Sequence, residues 1–132
     1  MEFVDTAAVA IEVLRKAGIR AELEPPSDDT AEPPLVVVQD AGPVNIRNSK
    51  DGLGTNTVIS LSTVARSRAA ASATADRATM ALVKNVGQYD SGRLVYGRAV
   101  NLPRPVGQSV LPIDNAYQRH SMVKIIVRNI TS

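Results

Sequence analysis

The chain carries few side chains able to do chemistry. Cys is absent and His120 is the single histidine, so thiol nucleophiles, thiolate metal sites and disulfides are excluded together. A catalytic dyad or metal cluster around His120 requires a second histidine or converging carboxylates, and the sequence offers neither nearby. It therefore reads as a structural or merely exposed histidine at the start of a strand, Tyr117-Gln118-Arg119-His120. Gly52-Leu53-Gly54 looks like a phosphate loop, but neither GxGxxG nor GxxxxGK[ST] is completed and no helix follows, so a turn is the better reading. Asp28, Asp29 and Glu32 lack the spacing of a calcium loop and read as a solvated acidic loop. No catalytic residue, metal or cofactor is expected, and the chain reads as a non-enzyme. Arg66 and Arg68 stand out for a different reason. They flank the start of a long helix, where the dipole disfavours cations by under about 1 kcal/mol. Such a placement fits a plain surface position or an ion pair with a neighbouring subunit.

The elements that must position these residues follow from periodicity. From Thr57 to Ala65, Val58, Ser60, Ser62 and Val64 alternate with Ile59, Leu61 and Thr63, the two-residue period of a strand. The period then changes. After Ser67, a plausible cap, Ala71, Ala75, Ala78, Leu82 and Val86 recur every three or four residues and define a helix of small apolar stripe suited to close packing on a sheet. Upstream, Asp5 or Thr6 caps a helix through Ala17 with Ala7, Ala8, Ile11 and Leu14 on its apolar stripe; Gly18 ends it, with Arg15 and Lys16 at the favourable end of the dipole. Ile19, Ala21 and Leu23 alternate with charged residues as a short strand, and the proline-rich, acidic Pro25–Pro34 segment is a loop. Leu35–Gln39 is a β-branched run without polar alternation, as in a strand covered on both faces or a central one.

Asp40–Asn56 is long for a connection and reads as a loop or as a hairpin whose tip extends beyond the sheet. Gln88–Gly92 is a turn, Arg93–Leu102 a strand in which Gly97 and Ala99 leave room for close packing, Pro103–Ala116 a second irregular loop, and Tyr117–Asn129 the last strand. The predicted fold is α+β: a two-layer sandwich with a mixed, mainly antiparallel sheet of four to five strands and two helices on one face. One domain is expected over residues 1–132, with long loops at 40–56 and 103–116. No apolar run approaches the ~20 residues of a membrane span, and no secretory signal opens the chain. A net charge of +2 is no nucleic-acid signature by itself, and 3% aromatic residues argue against stacking platforms for single strands. A core this rich in alanine buries little area per residue, which favours support from neighbours in an oligomer.

The order of blocks resembles a known family. A first helix ending AGIRAE, the strand PPLVVVQDAG, the unit VISLSTVARSRAAASATADRATMALV, then GRLVYGRAVNLPRPVG and the closing YQRHSMVKIIVR together resemble the tail terminator, or tail completion, proteins of long-tailed bacteriophages. The resemblance spans nearly the whole chain, and its most specific parts are the strand-to-helix unit with Arg66, Ala70 and Ala75 and the Arg119–Arg128 strand. It implies a virion protein assembling into a homohexameric ring at the head-proximal end of the tail tube. Such a ring ends tube polymerisation and meets the tube protein on one side and the head connector or stopper on the other, while DNA passes its lumen without specific recognition. It is expected in the host cytoplasm during assembly and in the neck of the virion afterwards. On that reading Arg47, Lys50 and Asp51 in one loop and Arg104 and Asp114 in the other are candidate axial contacts, and Arg66, Arg68 and Arg119 candidate subunit contacts. The alternatives are another head–tail component, a stopper or a tube subunit, the latter expected to be richer in strand, and a small α+β binding module, which the lack of sheet aromatics disfavours.

Overall fold

A computed structural model describes residues 5–24, 34–45, 55–108 and 117–128. Helix α1 spans Thr6–Lys16. Asp5 caps it, its Oδ1 accepting from the Ala8 N–H at 3.1 Å. At the other end Gly18 takes φ +83°, its N–H reaching the Arg15 carbonyl at 3.0 Å while the Ile19 N–H reaches the Leu14 carbonyl at 2.9 Å. This is the Schellman arrangement, which needs a residue tolerant of the left-handed region. The helix is buried more widely than one stripe, since Val9, Ala10 and Val13 are enclosed along with Ala7, Ile11 and Leu14, whereas Ala8 is only partly covered.

The six strands are β1 (Ala21–Glu22), β2 (Leu35–Asn45), β3 (Thr55–Ala65), β4 (Gly87–Tyr89), β5 (Gly92–Gln108) and β6 (Tyr117–Arg128), arranged β1-β2-β3-β6-β5-β4. Only β1 and β2 run parallel; the other neighbours are antiparallel. The fold is thus α+β with a mixed, mainly antiparallel sheet, as the sequence predicts, but with six strands. Two boundaries differ from the expectation, at the Pro103 loop and at the Gln88–Gly92 turn. The hairpin reading of Asp40–Asn56 applies, because β2 and β3 stay paired as far as Asn45 opposite Asn56. The loop expected from Pro103 is strand as far as Gln108, paired with β6 through three irregularities beyond Ala99. The turn expected at Gln88–Gly92 contains β4, so the reversal shrinks to Asp90 and Ser91. Leu23, expected to point inward, lies beyond β1 and is 51% exposed.

Helix α2 covers Arg68–Lys84. Ser67 caps it, Oγ accepting from the Ala70 N–H at 3.0 Å. Ala71, Ala75, Ala78 and Leu82 are buried as the spacing demands, joined by Thr74, Thr79 and Ala81; Val86 falls past the helix end and is 54% exposed. Both helices lie on one face, where Val36, Val38, Ile59, Leu61, Val123, Ile125 and Val127 meet Val9, Val13, Leu14, Ala78 and Leu82 in one core. Gly97 explains how α2 sits so close. A Cβ there would overlap the Leu82 carbonyl oxygen and lie 2.9 Å from its carbon and 3.2 Å from Val83 Cα, so the last turn of α2 rests on the bare backbone of β5.

Candidate functional site

Four of the sequence-predicted residues converge at one end of the sheet. There β3 ends and β6 begins, with Ala65 paired to Tyr117 and Thr63 to Arg119. Arg119 also pairs with Pro105, next to Arg104, which stands opposite His120. Arg66 and Arg68 lie at the β3–α2 junction and are exposed. The opposed helix dipole at Arg68 has an internal counterweight: its guanidinium carbon lies 5.3 Å from the centre of the Tyr117 ring, a cation–π contact across the junction. Arg47, Lys50, Asp51 and Asp114 lie outside the described residues.

A second surface is the sheet face opposite the helices. Antiparallel register places Arg93, Tyr96 and Arg98 of β5 directly opposite Arg128, Ile126 and Lys124 of β6, and the next strand adds Val58, Ser60 and Ser62. Arg93, Tyr96 and Arg98 are exposed and their β6 partners half-buried. On the same face Ser60 Oγ lies 2.8 Å from His120 Nε2. Sequence reasoning missed this pair, whose members are separated by 60 positions. Their alternation assigns each to a strand face, but only the β3–β6 register brings the faces together. A serine and a histidine at this distance have the reach of a nucleophile and base. The imidazole, however, has no carboxylate partner among the described residues, so the arrangement reads as a cross-strand hydrogen bond.

A groove among the described residues lies elsewhere. It has a volume of about 550 Å³ and is lined by residues of α1 and β1 together with Leu23 and Ser91. Its floor is occupied by a structural tie: the Glu12 carboxylate accepts from the backbone N–H groups of Asp90 at 2.6 Å and Ser91 at 3.0 Å and from Ser91 Oγ at 2.9 Å. Burial works to raise the Glu12 pKa, but these donors and Lys16 outweigh it and hold the carboxyl below its ordinary value. One turn along α1, Lys16 Nζ sits 5.0 Å from the Tyr89 ring centre. Burial, with Glu12 as a lesser cause, pushes the Tyr89 hydroxyl up; it donates to the Asn85 carbonyl at 2.6 Å. The groove thus fastens α1 to the β4–β5 hairpin. No cluster of three or more potential metal ligands occurs among the described residues.

Comparison with known proteins adds a likeness of fold. A solved structure described as the virion of a native gene transfer agent particle contains a chain similar to this one, with a TM-score of 0.51 and 17% identity over 94% of this chain and 87% of that one. No family model and no curated protein matches the sequence. The α+β fold seen here is therefore also that of a chain in the gene transfer agent particle.

Proposed function

We propose that the chain is a structural virion protein without enzymatic activity and, more narrowly, a tail terminator that forms a ring of six on the head-proximal end of a phage tail tube. The observation carrying the reading is the fold likeness to a chain of a gene transfer agent virion, which extends over 94% of this chain and so involves the whole arrangement rather than one motif. The narrower assignment rests on the resemblance of the block order. A single domain over residues 1–132 suits a ring subunit. Its partners are further copies of itself, the tube protein, the head connector or stopper, and DNA in the lumen, with assembly in the host cytoplasm and residence in the virion neck.

Two features of the sheet support assembly with neighbours. Beyond Val37, β2 has no strand on its outer side among the described residues, and the same holds for β5 beyond Leu94. Uncovered edges of this length are templates for pairing with another chain, and Val95, Tyr96 and Val100 are exposed along the β5 edge. The Arg66, Arg68, Arg104 and Arg119 end of the sheet and the 45–54 and 103–115 segments, with Arg47, Lys50, Asp51 and Asp114, are the proposed contacts with neighbouring subunits and rings. A stopper or tube subunit is the second reading, since the fold likeness does not distinguish components of one particle. Mass measurement with negative-stain imaging tests the proposal: a strict monomer that neither forms rings nor binds the ends of tail tubes refutes it. Replacing residues 45–54 by a short Gly-Ser linker tests the loop separately, because unchanged assembly of infectious particles removes that segment from the contacts.

A further inference from the structure

The charges of the chain are sorted along it. Residues 21–45 carry Glu22, Glu24, Asp28, Asp29, Glu32 and Asp40 and no lysine or arginine, whereas residues 92–108 carry Arg93, Arg98 and Arg104 and no acid. The topology turns that order into a polarity in space, because the first stretch supplies β1 and β2 at one end of the strand order and the second supplies β5 near the other. Asp28, Asp29 and Glu32 lie outside the described residues and enter by charge alone, in the connection between β1 and β2. Glu22 is engaged by Arg15 at 3.5 Å and Arg20 at 3.8 Å, while Glu24, Arg93 and Arg98 are exposed. Both ends are also open. Among the described residues β2 has an outer neighbour only at Val36 and Val37, and β5 only as far as Leu94, which leaves residues 38–45 and 95–108 bonded on one side. The exposed large hydrophobic side chains follow the same division: Val95, Tyr96 and Val100 lie on β5, Met80 and Val86 at the end of α2 beside it, and Leu23 beyond β1.

We infer that the β5 edge of one copy docks on the β1–β2 edge of a second copy, with β5 of the first antiparallel to β2 of the next. The contact deepens the ring reading and rests on it for closure. Charge decides between the ways two copies can meet. An isologous contact sets an edge against itself, arginines against arginines or acids against acids, whereas the heterologous one sets the arginines of β5 against the acids of the neighbour. Direction agrees with that choice. Successive members of the row β2, β3, β6 and β5 are antiparallel, so β2 and β5 run in opposite senses. A rotation about an axis along the strands therefore brings β2 of one copy antiparallel to β5 of the next. The register of β5 on β6 slips between Leu94 and Tyr96 and again between Ala99 and Asn101, and Pro103 and Pro105 lack donors, so the regular ladder is confined to residues 96–99. Beside that ladder the contact covers the exposed apolar side chains of the β5 edge and Leu23 of the neighbour.

The experiment exchanges charge between the two edges and reads association by analytical ultracentrifugation over a series of protein and salt concentrations. One variant is Arg93→Glu/Arg98→Glu and the other Glu24→Lys/Asp28→Lys/Asp29→Lys. An exposed ion pair contributes a factor of about two to association and its reversal a comparable repulsion, so the arginine variant alone associates about fifteenfold more weakly than the parent. The lysine variant alone is weakened as well. Mixed in equal amounts, the two recover the parent's association, because each acidic β5 edge meets a basic β1–β2 edge and each basic β5 edge an acidic one. Rising salt weakens the parent's assembly by screening these exposed charges. Circular dichroism shows whether each variant folds; Arg93→Gln/Arg98→Gln, expected to weaken association about fourfold, replaces the reversal if that misfolds. A lysine variant that assembles like the parent assigns the contact to β5 against itself, and an arginine variant that does so assigns it to the β1–β2 edge against itself. Either result overturns the inference, as does a mixture that associates no more strongly than its components. Rings insensitive to both exchanges refute only the contact, and dimers or open chains sensitive to both support the contact and refute only the ring. A parent monomeric at every concentration overturns the contact.

Discussion

Replacing Gly97 by alanine tests the seat of α2 directly. Gly97 lies in the paired part of β5 opposite Ile125, and an added Cβ meets backbone rather than a side chain: the Leu82 carbonyl oxygen in overlap, its carbon at 2.9 Å and Val83 Cα at 3.2 Å. A flexible side chain could swing aside, but a helix turn moves only as a unit, carrying the buried Leu82 out of the core. Overpacking of this kind costs about 1–3 kcal/mol, and contact with backbone places it at the upper end. Against this, alanine reduces the freedom of the unfolded chain and returns about 0.4–1 kcal/mol, leaving a net loss of about 2 kcal/mol. For a chain of 132 residues at about 2.1 cal/mol/K each, the unfolding entropy is about 0.28 kcal/mol/K, so the midpoint falls by about 7 °C. Thermal unfolding followed by circular dichroism reads the shift, with Val95→Ala, an exposed position on the same strand, as a control expected to change little. A Gly97→Ala protein melting within about 2 °C of the parent refutes the close seat of α2 on β5.

The other expectations concern single contacts. Glu12→Gln removes charge-assisted hydrogen bonds that are largely exposed, and so costs about 1 kcal/mol at neutral pH. Because the folded carboxyl titrates below its unfolded value, the contribution is present above the ordinary carboxylate pKa and disappears as pH falls through the lowered one; parent and variant therefore converge in acid, as denaturant titrations at several pH values should show. Thr63 is fully buried and its Oγ1 has no hydrogen-bond partner among the described residues, so Thr63→Val is expected to be neutral or to stabilise by about 1 kcal/mol in chemical denaturation. Ser67→Ala removes the α2 cap and lowers stability by about 1 kcal/mol in the same assay; no loss refutes the capping assignment.

Local physics was legible in the sequence wherever one residue decides the outcome. Asp5, Gly18 and Ser67 bound the helices because caps and left-handed turns depend on side-chain type alone. The unbroken Leu35–Val38 run announced a strand buried on both sides, as it is, between β1 and β3. The errors fall where the sheet overrides local preference. Pro103 and Pro105 signalled a loop, yet β5 continues through them, since an edge strand bonded on one side tolerates residues that lack a donor. Val86 kept the helical spacing but lies beyond Lys84, because periodicity does not mark an end: the helix stops at the Asn85 cap and β4 begins at Gly87.

What the sequence withheld most completely was the character of the sheet's open face, and the reason is topological. Alternation correctly separates an inner from an outer set in each strand, but the sheet places β6 beside β3, from which α2, β4 and β5 separate it in the chain. Ser60 and His120 become neighbours only once β6 pairs with β3, and Arg98 and Lys124 only through the irregular register of β5 on β6. Composition could not reveal the same surface, because charge summed over a chain is blind to which side of a sheet each residue occupies. The helix side meets its own needs: its carboxylates cap turns, its cations rest on Tyr89 and Tyr117, and its alanines let backbone approach backbone. The sheet side sets like charges opposite one another and leaves two edges without a second strand among the described residues.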